Sequence, residues 1–351
     1  MRNWSVALVV FPILLAGLAA TPGGPREQQW KQVEEAMNKG LPKTAIEYLD
    51  PILEGAIKDK AYAEAIRAVG QKVALEGTIQ GNKPEEKIVR MEAELAKAPE
   101  PMKPVMEAIL AHWYWHYFQN NRWRFMQRTA TAAPPSDDIT TWDLPRIFAE
   151  IDKHFAAALG AEPLLQGTPV GEYDVLLEKG TMPDAYRPTL YDFVAANALE
   201  FYASGEQAAA KPQEAFEISA GDPIFGAVAE FVAWKPETSE TDSPKLKAVQ
   251  VYQKLLQFHQ GDQDKTALLH WDLERLRFGQ NTAFGEEKAA RYKAALKRFV
   301  DQWGDHEISA LARHDWAVVL QGENDLVEAH RLAEQGFRAF PESPGGKLCY
   351  N

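Results

Sequence analysis

The amino-acid sequence predicts an all-α protein built as an irregular array of antiparallel helical hairpins. From Gln28 onward, apolar residues recur at spacings of three and four, which is the period of an amphipathic helix. Stretches that alternate apolar and polar residues, as strands do, are scarce. Short turns rich in Gly, Asn and Asp separate the apolar runs. Hydrophobic residues make up 46% of the chain and aromatic residues 11%, so there is ample apolar surface for a packed core.

Residues 1–20 are predicted to be a signal peptide. Arg2 precedes an uncharged, largely apolar stretch that starts at Trp4, and the small residues Ala19 and Ala20 suit a cleavage site. The apolar core is short for a membrane span, and an uncleaved N-terminal anchor is the alternative. No later segment is apolar for long enough to cross a membrane. We therefore expect an exported chain with no membrane span after the signal peptide is removed.

The net charge and the cysteine content limit the partners and the cross-links. The formal net charge is −12, and a surface this acidic repels nucleic acid and anionic lipid. We therefore expect no nucleic-acid partner. The sequence has 1 cysteine, Cys349, so an internal disulfide is excluded and helix packing must hold the fold.

Residues 26–128 are predicted to form N-terminal helical hairpins that end in an aromatic-rich helix. Helices are expected around residues 30–37, 44–57 and 61–75, where apolar residues follow the helical period. Pro42 suits the first turn of the second helix, because no backbone donor is needed there.

Residues 129–235 are predicted to form a middle helical region. One helix is expected over residues 144–155, and another starts at Thr189, with Asp192 placed as in a capping box. Composition predicts loops at residues 129–138, 206–212 and 236–244, which are rich in Pro, Ser, Thr or small polar residues.

Residues 245–345 are predicted to form further hairpins, of which the last is the clearest. Apolar stripes over residues 308–320 and 326–340 flank a turn in which Gly322 would stop one helix. Either Asn324 or Asp325 would cap the next helix. No further helix is predicted after this hairpin.

This last hairpin resembles a tetratricopeptide repeat. That family has small residues where two helices touch and a proline after the second helix. The matching residues are Ala317, Ala329, Ala333, Gly336 and Pro341. Comparable hairpins start near Ala248 and Ala290, at a separation of roughly forty residues, which is longer than the usual repeat. The resemblance implies a degenerate, tetratricopeptide-like α-solenoid.

Aromatic residues crowd the segment 112–125, and they surround the predicted helix instead of keeping to one stripe. His112 and His116 have the spacing of a two-histidine metal site, but no acidic residue lies between them and the neighbours are aromatic. We therefore predict that this segment is packed core and that it binds no metal. The zinc, nucleophile-elbow and phosphate-loop motifs are also missing, so we predict no catalytic site and no cofactor.

A partner-binding surface is the alternative role of the aromatic segment. The residues that would form it are Trp113, Tyr114, Tyr117, Arg122, Trp123 and Arg124. Under the favoured interpretation, Trp113 and Trp123 stabilise the core instead. The two arginines would then pair with Asp137, Asp138 or Asp143 and stack on tryptophan.

Four segments in the same order resemble the N-terminal helical region of large bacterial alpha-2-macroglobulin-like proteins. They are YWHYFQNNRWRF (residues 114–125), DDITTWDL (137–144), RPTLYDF (187–193) and VYQKLLQFH (251–259). The resemblance implies an exported, non-catalytic scaffold in the periplasm or cell envelope of a bacterium. The family traps or inhibits proteases with macroglobulin-like β-sandwich domains, a bait segment and often a Cys-Gln thioester. None of these is visible here, so this part alone should not inhibit a protease.

The partner is expected to be a protein or a peptide, which includes domains of the same longer protein. The alternative is a stand-alone periplasmic tetratricopeptide-like adaptor that holds an extended peptide or an envelope protein on its concave face. In-frame β-sandwich domains downstream would favour the first hypothesis, and a stop codon would favour the second. A hydrolase on an α/α scaffold would need convergent acids or a metal set, which the sequence does not suggest.

Overall fold

The computed structural model of the protein describes residues 24–127, 137–177, 180–207 and 216–351. Throughout these ranges the regular structure is helical and contains no β-strand, which confirms the all-α prediction. Two isolated backbone bridges, Pro169 with Thr189 and Ser219 with Phe284, are the extended pairings in these ranges. The predicted signal peptide lies outside the described residues. None of the described helices is long and apolar enough to cross a membrane.

The described chain forms two compact units. The first comprises the described residues up to Gly180 together with Pro188–Asn197, and the second comprises Thr181–Arg187 together with Ala198–Asn351. The division between them falls inside the predicted middle region, residues 129–235. The structure therefore has two units where the sequence suggested three helical regions.

The first unit contains the three predicted N-terminal helices and the predicted helix around residues 144–155. Its helices are α1 (Glu27–Asn38), α2 (Pro42–Lys58), α3 (Tyr62–Ile79), α4 (Pro84–Lys97), α5 (Lys103–Asn120), α6 (Arg122–Met126), α7 (Leu144–Leu159), α8 (Glu162–Gln166) and the first part of α9 (Leu190–Tyr202). Short 3₁₀ segments lie at Glu100–Met102, Ile139–Thr141 and Val170–Tyr173.

Helices α1, α2 and α3 pack against one another in sequence order. Pro42 is the first residue of α2, as predicted. Gly40 joins α1 to α2 with a φ of 69°, a left-handed conformation that glycine adopts without a β-carbon penalty. Trp30, Leu49 and Ile52 are buried together in the core of these helices. The amphipathic stripes seen in the sequence thus face one shared core.

Helix α5 is surrounded by other helices, because it packs against both α4 and α7. Most of its side chains are buried, including Trp113, Trp115 and Phe118. The Phe118 ring meets the Phe148 ring of α7 edge-on, with ring centroids 4.9 Å apart. Aromatic residues on every side of a helix can be hidden only by neighbours on several sides, and this helix has them.

Helix α9 begins with the predicted reciprocal cap. The backbone N–H and the hydroxyl of Thr189 both donate to Asp192 Oδ2, at 3.0 and 2.6 Å. The backbone N–H of Asp192 donates to Thr189 Oγ1 at 3.3 Å. Such a pair satisfies donors that a helix start otherwise leaves without a partner.

The second unit contains the rest of α9 and the C-terminal helices. These are α10 (Val228–Ala233), α11 (Pro244–His259), α12 (Thr266–Thr282), α13 (Lys288–Trp303), α14 (Ile308–Gly322), α15 (Leu326–Ala339) and α16 (Pro344–Tyr350). Two 3₁₀ segments lie at Asp184–Tyr186 and Pro223–Phe225. The loop predicted before Pro244 is confirmed. The predicted loops at 129–138 and 206–212 lie largely outside the described residues.

The predicted hairpin of α14 and α15 is confirmed, but its turn differs in detail. Gly322 remains inside α14, and Asn324 takes the left-handed conformation with a φ of 64°. Asp325 caps α15, because its Oδ1 accepts the backbone N–H of Glu328 at 3.3 Å. Asparagine tolerates the left-handed region better than other side chains do, so it replaces glycine at the helix end.

Helix α16 follows this hairpin, so the prediction of no further helix is wrong. It packs against both α14 and α15, with Gly345 and Gly346 buried. Ser343 caps it by accepting the Gly346 N–H at 3.0 Å. The buried thiol of Cys349 donates to the Ala310 carbonyl oxygen at 3.3 Å. A Pro-Gly-Gly start is a poor helix former, which is why the sequence pattern did not indicate this helix.

A bidentate ion pair connects α12 and α14. Arg277 Nε and Nη2 donate to the two carboxylate oxygens of Asp315, at 2.6 and 3.0 Å. Burial alone would raise the pKa of the Asp315 carboxyl, but the Arg277 guanidinium outweighs burial and holds this pKa below its ordinary value. The side chains of Arg277 and Asp315 are 29% and 13% exposed, so solvent screens the pair only in part.

We expect Asp315→Asn to lower the free energy of unfolding by about 1–3 kcal/mol at pH 7, because it leaves Arg277 without its main partner. The depressed pKa gives stability that is present above the ordinary aspartate value of 3.8 and is lost as the pH falls below it. The difference between wild type and variant should therefore shrink in acid. Urea unfolding at several pH values measures it. Asp301→Asn, in the exposed Lys297–Asp301 pair, is the control and should be nearly neutral.

Candidate functional site

The six residues proposed for a partner surface are not all on the surface. Trp113, Tyr114 and Tyr117 are 4%, 1% and 4% exposed, because α5 is enclosed by its neighbours. These three side chains therefore belong to the core of the first unit and cannot contact a partner. The expectation that Trp113 is a core residue is confirmed.

The accessible part of the segment is the short helix α6. Trp123 is 68% exposed and Met126 is 47% exposed, while Phe125 is buried and anchors the helix. Arg122 is exposed, and Arg124 is half-buried and donates to the carbonyl oxygen of Thr140. Arg122, Trp123 and Met126 form what we call the Trp123 surface.

The prediction that Trp123 lies in the core is wrong. Helix α5 ends at Asn120, and Asn121 has a φ of −117° and a ψ of 18°. This break turns α6 away from the direction of α5, so the aromatic pattern does not continue on the same helix. Phe125 then fills the buried position, and Trp123 faces outward.

His112 and His116 lie on one side of α5, as their spacing predicts. Their rings are nearly parallel, with centroids 6.4 Å apart. Burial lowers the pKa of His112 to about 4, and the neighbouring His116 acts in the same direction. His112 is therefore neutral at neutral pH. Within the described ranges, the group of three side chains that could share one metal ion does not include either of them.

That group lies elsewhere in the first unit, around His154 of α7. Glu107 of α5 accepts a hydrogen bond from the His154 ring at Nδ1, at 2.5 Å. On the other side of the ring, Nε2 lies 3.6 Å from Oε1 of Glu150 and 4.0 Å from Oε1 of Glu92. We call Glu92, Glu107, Glu150 and His154 the His154 cluster.

The His154 cluster is enclosed by aromatic and charged side chains. The Tyr114 ring stacks on the His154 ring, with centroids 5.5 Å apart, and its hydroxyl donates to Glu92 Oε1 at 2.6 Å. Burial and the Glu92 carboxylate raise the pKa of Tyr114 far above its ordinary value, so the hydroxyl keeps its proton. Lys153 and Arg146 both contact the Glu150 carboxylate.

Few features of the sequence indicate this cluster. Its members come from α4, α5 and α7, and the only local signal is the spacing of four between Glu150 and His154. Glu150 is 5% exposed and His154 is 3% exposed, because α5 covers the face of α7 on which they lie.

Buried charge in the second unit has a structural role near the 3₁₀ segment Pro223–Phe225. Arg275 is fully buried and donates to the carbonyl oxygens of Ile224 and Gly226, at 3.0 and 3.1 Å. Arg298 donates to Gly226 at 2.8 Å. The two guanidinium groups therefore hold this turn in place by satisfying its carbonyl groups.

A comparison of the chain with protein-family models, curated proteins and solved structures gave no match.

Proposed function

We propose that this chain is a non-catalytic helical scaffold, and that it forms the N-terminal part of an exported alpha-2-macroglobulin-like protein of the bacterial cell envelope. The four ordered segments that resemble this family support the proposal, as does the all-helical architecture of both units. Protease trapping or inhibition would be a property of the whole protein. The role of this part is to hold a protein partner, such as other domains of the same protein.

The observation that carries the proposal is the exposure of Trp123. A tryptophan that is 68% exposed leaves a large ring in water, which is unfavourable unless another surface covers it. Arg122 beside it is also exposed. Tryptophan and arginine are the residues most enriched among those that dominate binding energy at protein interfaces.

The second candidate is a stand-alone periplasmic adaptor for an extended peptide or an envelope protein. It is favoured by apolar side chains on the α14–α15 hairpin. Val318, Leu326 and Val327 are 51%, 59% and 83% exposed. Such residues could contact a peptide through apolar side chains.

The first test is the DNA sequence after the codon for Asn351. In-frame β-sandwich domains support the alpha-2-macroglobulin-like scaffold, and a stop codon there favours the adaptor. The downstream domains, produced as a separate chain, should then bind the helical chain in a calorimetric titration. Trp123→Ala should weaken this binding at least about tenfold, as loss of an interface hot spot does.

Val327→Ala is the matched control, because it removes an exposed apolar side chain from the other unit. It should leave the affinity for the downstream domains unchanged. Equal binding by wild type and Trp123→Ala would remove the Trp123 surface from the proposal. Binding lost only in Val327→Ala would assign the interface to the α14–α15 hairpin.

A further inference from the structure

The Nε2 nitrogen of the His154 ring is buried and lacks a hydrogen-bond partner among the described residues. The His154 side chain is 4% exposed. Two carboxylate oxygens lie just beyond hydrogen-bond distance of this nitrogen, at 3.6 and 4.0 Å. A buried polar atom without a partner destabilises a fold, and a bound ion on that atom removes the cost.

We propose that Glu92, Glu150 and His154 bind a divalent transition-metal ion of the zinc class. One donor atom from each lies within 4.8 Å of the other two. Zinc holds nitrogen and carboxylate oxygen at about 2.0–2.2 Å, which puts neighbouring ligands roughly 3.3 Å apart on a tetrahedral ion. Each donor atom therefore has to move by less than about 1 Å for all three to coordinate one ion. Glu92 has room for such a shift, because its side chain is 38% exposed.

The surrounding hydrogen bonds are those that a histidine ligand requires. Glu107 contacts the Nδ1 side of the ring at 2.5 Å, so Nε2 is the ring nitrogen that faces Glu92 and Glu150. Metal-binding histidines usually donate their second N–H to a carboxylate or a carbonyl group in this way. Tyr114 in turn orients Glu92 through the hydrogen bond to Oε1.

The local charge also favours a cation. Three carboxylates, those of Glu92, Glu107 and Glu150, face the His154 ring, and two cationic side chains contact the Glu150 carboxylate. One of these, Lys153, is 66% exposed, so it can move into solvent when an ion arrives. Because the Glu92 side chain is partly exposed, an ion can reach the His154 cluster from solvent.

The donor set selects the class of ion. Magnesium and calcium prefer sites made wholly of oxygen, whereas one imidazole and two carboxylates suit zinc and its transition-metal neighbours. A bound ion would connect α4 to α7, next to the Glu107 carboxylate of α5. The inference goes beyond the proposed scaffold function, and it would hold for either candidate partner.

The test is a zinc titration of the full chain without its signal peptide, after dialysis against a chelator. We expect one ion per chain with a micromolar or tighter dissociation constant and a higher melting temperature with zinc present. Glu92→Gln should weaken zinc binding at least tenfold, and so should Glu150→Gln. Cobalt gives an independent readout, since its visible absorption band on the wild type should be lost in Glu92→Gln.

His116→Gln is the matched control, because it removes an exposed histidine from α5 and should leave zinc binding unchanged. Circular dichroism checks that each variant is folded. If Glu150→Gln does not fold, the half-exposed Glu92→Gln still decides. The proposal is overturned if folded wild type binds no stoichiometric zinc at 100-fold molar excess. It is also overturned if Glu92→Gln binds zinc as tightly as wild type, or if only His116→Gln loses it.

Discussion

Replacing Trp113 with alanine is expected to lower the free energy of unfolding by about 3–5 kcal/mol, the range measured for large aromatic side chains in packed cores. Trp113 is 4% exposed on a helix that α4 and α7 cover. Its loss leaves a cavity that surrounding rings cannot fill without leaving their own contacts. This is a large share of the stability that a domain usually has.

Trp123→Ala is the matched control, since it makes the same chemical change at a position that is 68% exposed. We expect a change in unfolding free energy within about 0.5 kcal/mol, as for other surface substitutions. Urea unfolding followed by circular dichroism measures both variants. An unfolding free energy of Trp113→Ala within about 0.5 kcal/mol of the wild-type value would contradict the core assignment. A large decrease in the unfolding free energy of Trp123→Ala would show that the Trp123 ring is covered in solution.

Gly346→Ala is expected to destabilise the second unit by about 3 kcal/mol, because overpacking against backbone is costly. A β-carbon at position 346 would overlap the carbonyl oxygen of Phe340 and lie 2.7 Å from its carbonyl carbon. These are backbone atoms, so no side-chain rotation can relieve the clash. Helix α16 would have to move away from the end of α15, which would also disturb the packing of Gly345 against the backbone of Ala310 in α14.

Gly322→Ala is the control for this glycine. Its β-carbon would meet no atom within 4 Å, and the residue is helical. Alanine is the better helix former by up to about 1 kcal/mol, so this variant should be neutral or slightly stabilised. Thermal unfolding compares the two proteins. Equal melting temperatures for Gly346→Ala and wild type would show that α16 does not pack closely in solution.

Local pattern predicted most of the helices but little of the site. The spacing of apolar residues predicts α1, α2 and α14, because the buried residues of a helix recur at intervals of three and four. The break at Asn121 has no such signal, since its backbone angles follow from packing, and the position of Trp123 was therefore predicted wrongly. The His154 cluster was missed for another reason. Glu92 and His154 are brought together only by the packing of α4, α5 and α7, which no spacing in the sequence records.

The buried thiol of Cys349 can be used to measure how often the last helix, α16, opens. Burial raises the pKa of Cys349 to about 11, although Arg313 acts in the opposite direction. Very little of the reactive thiolate is present at neutral pH, so alkylating reagents and oxidants should reach it only when α16 detaches. The same burial keeps the Cys349 thiol out of disulfide exchange while α16 is packed. The rate of labelling at Cys349 then reports how often α16 opens, without any engineered probe.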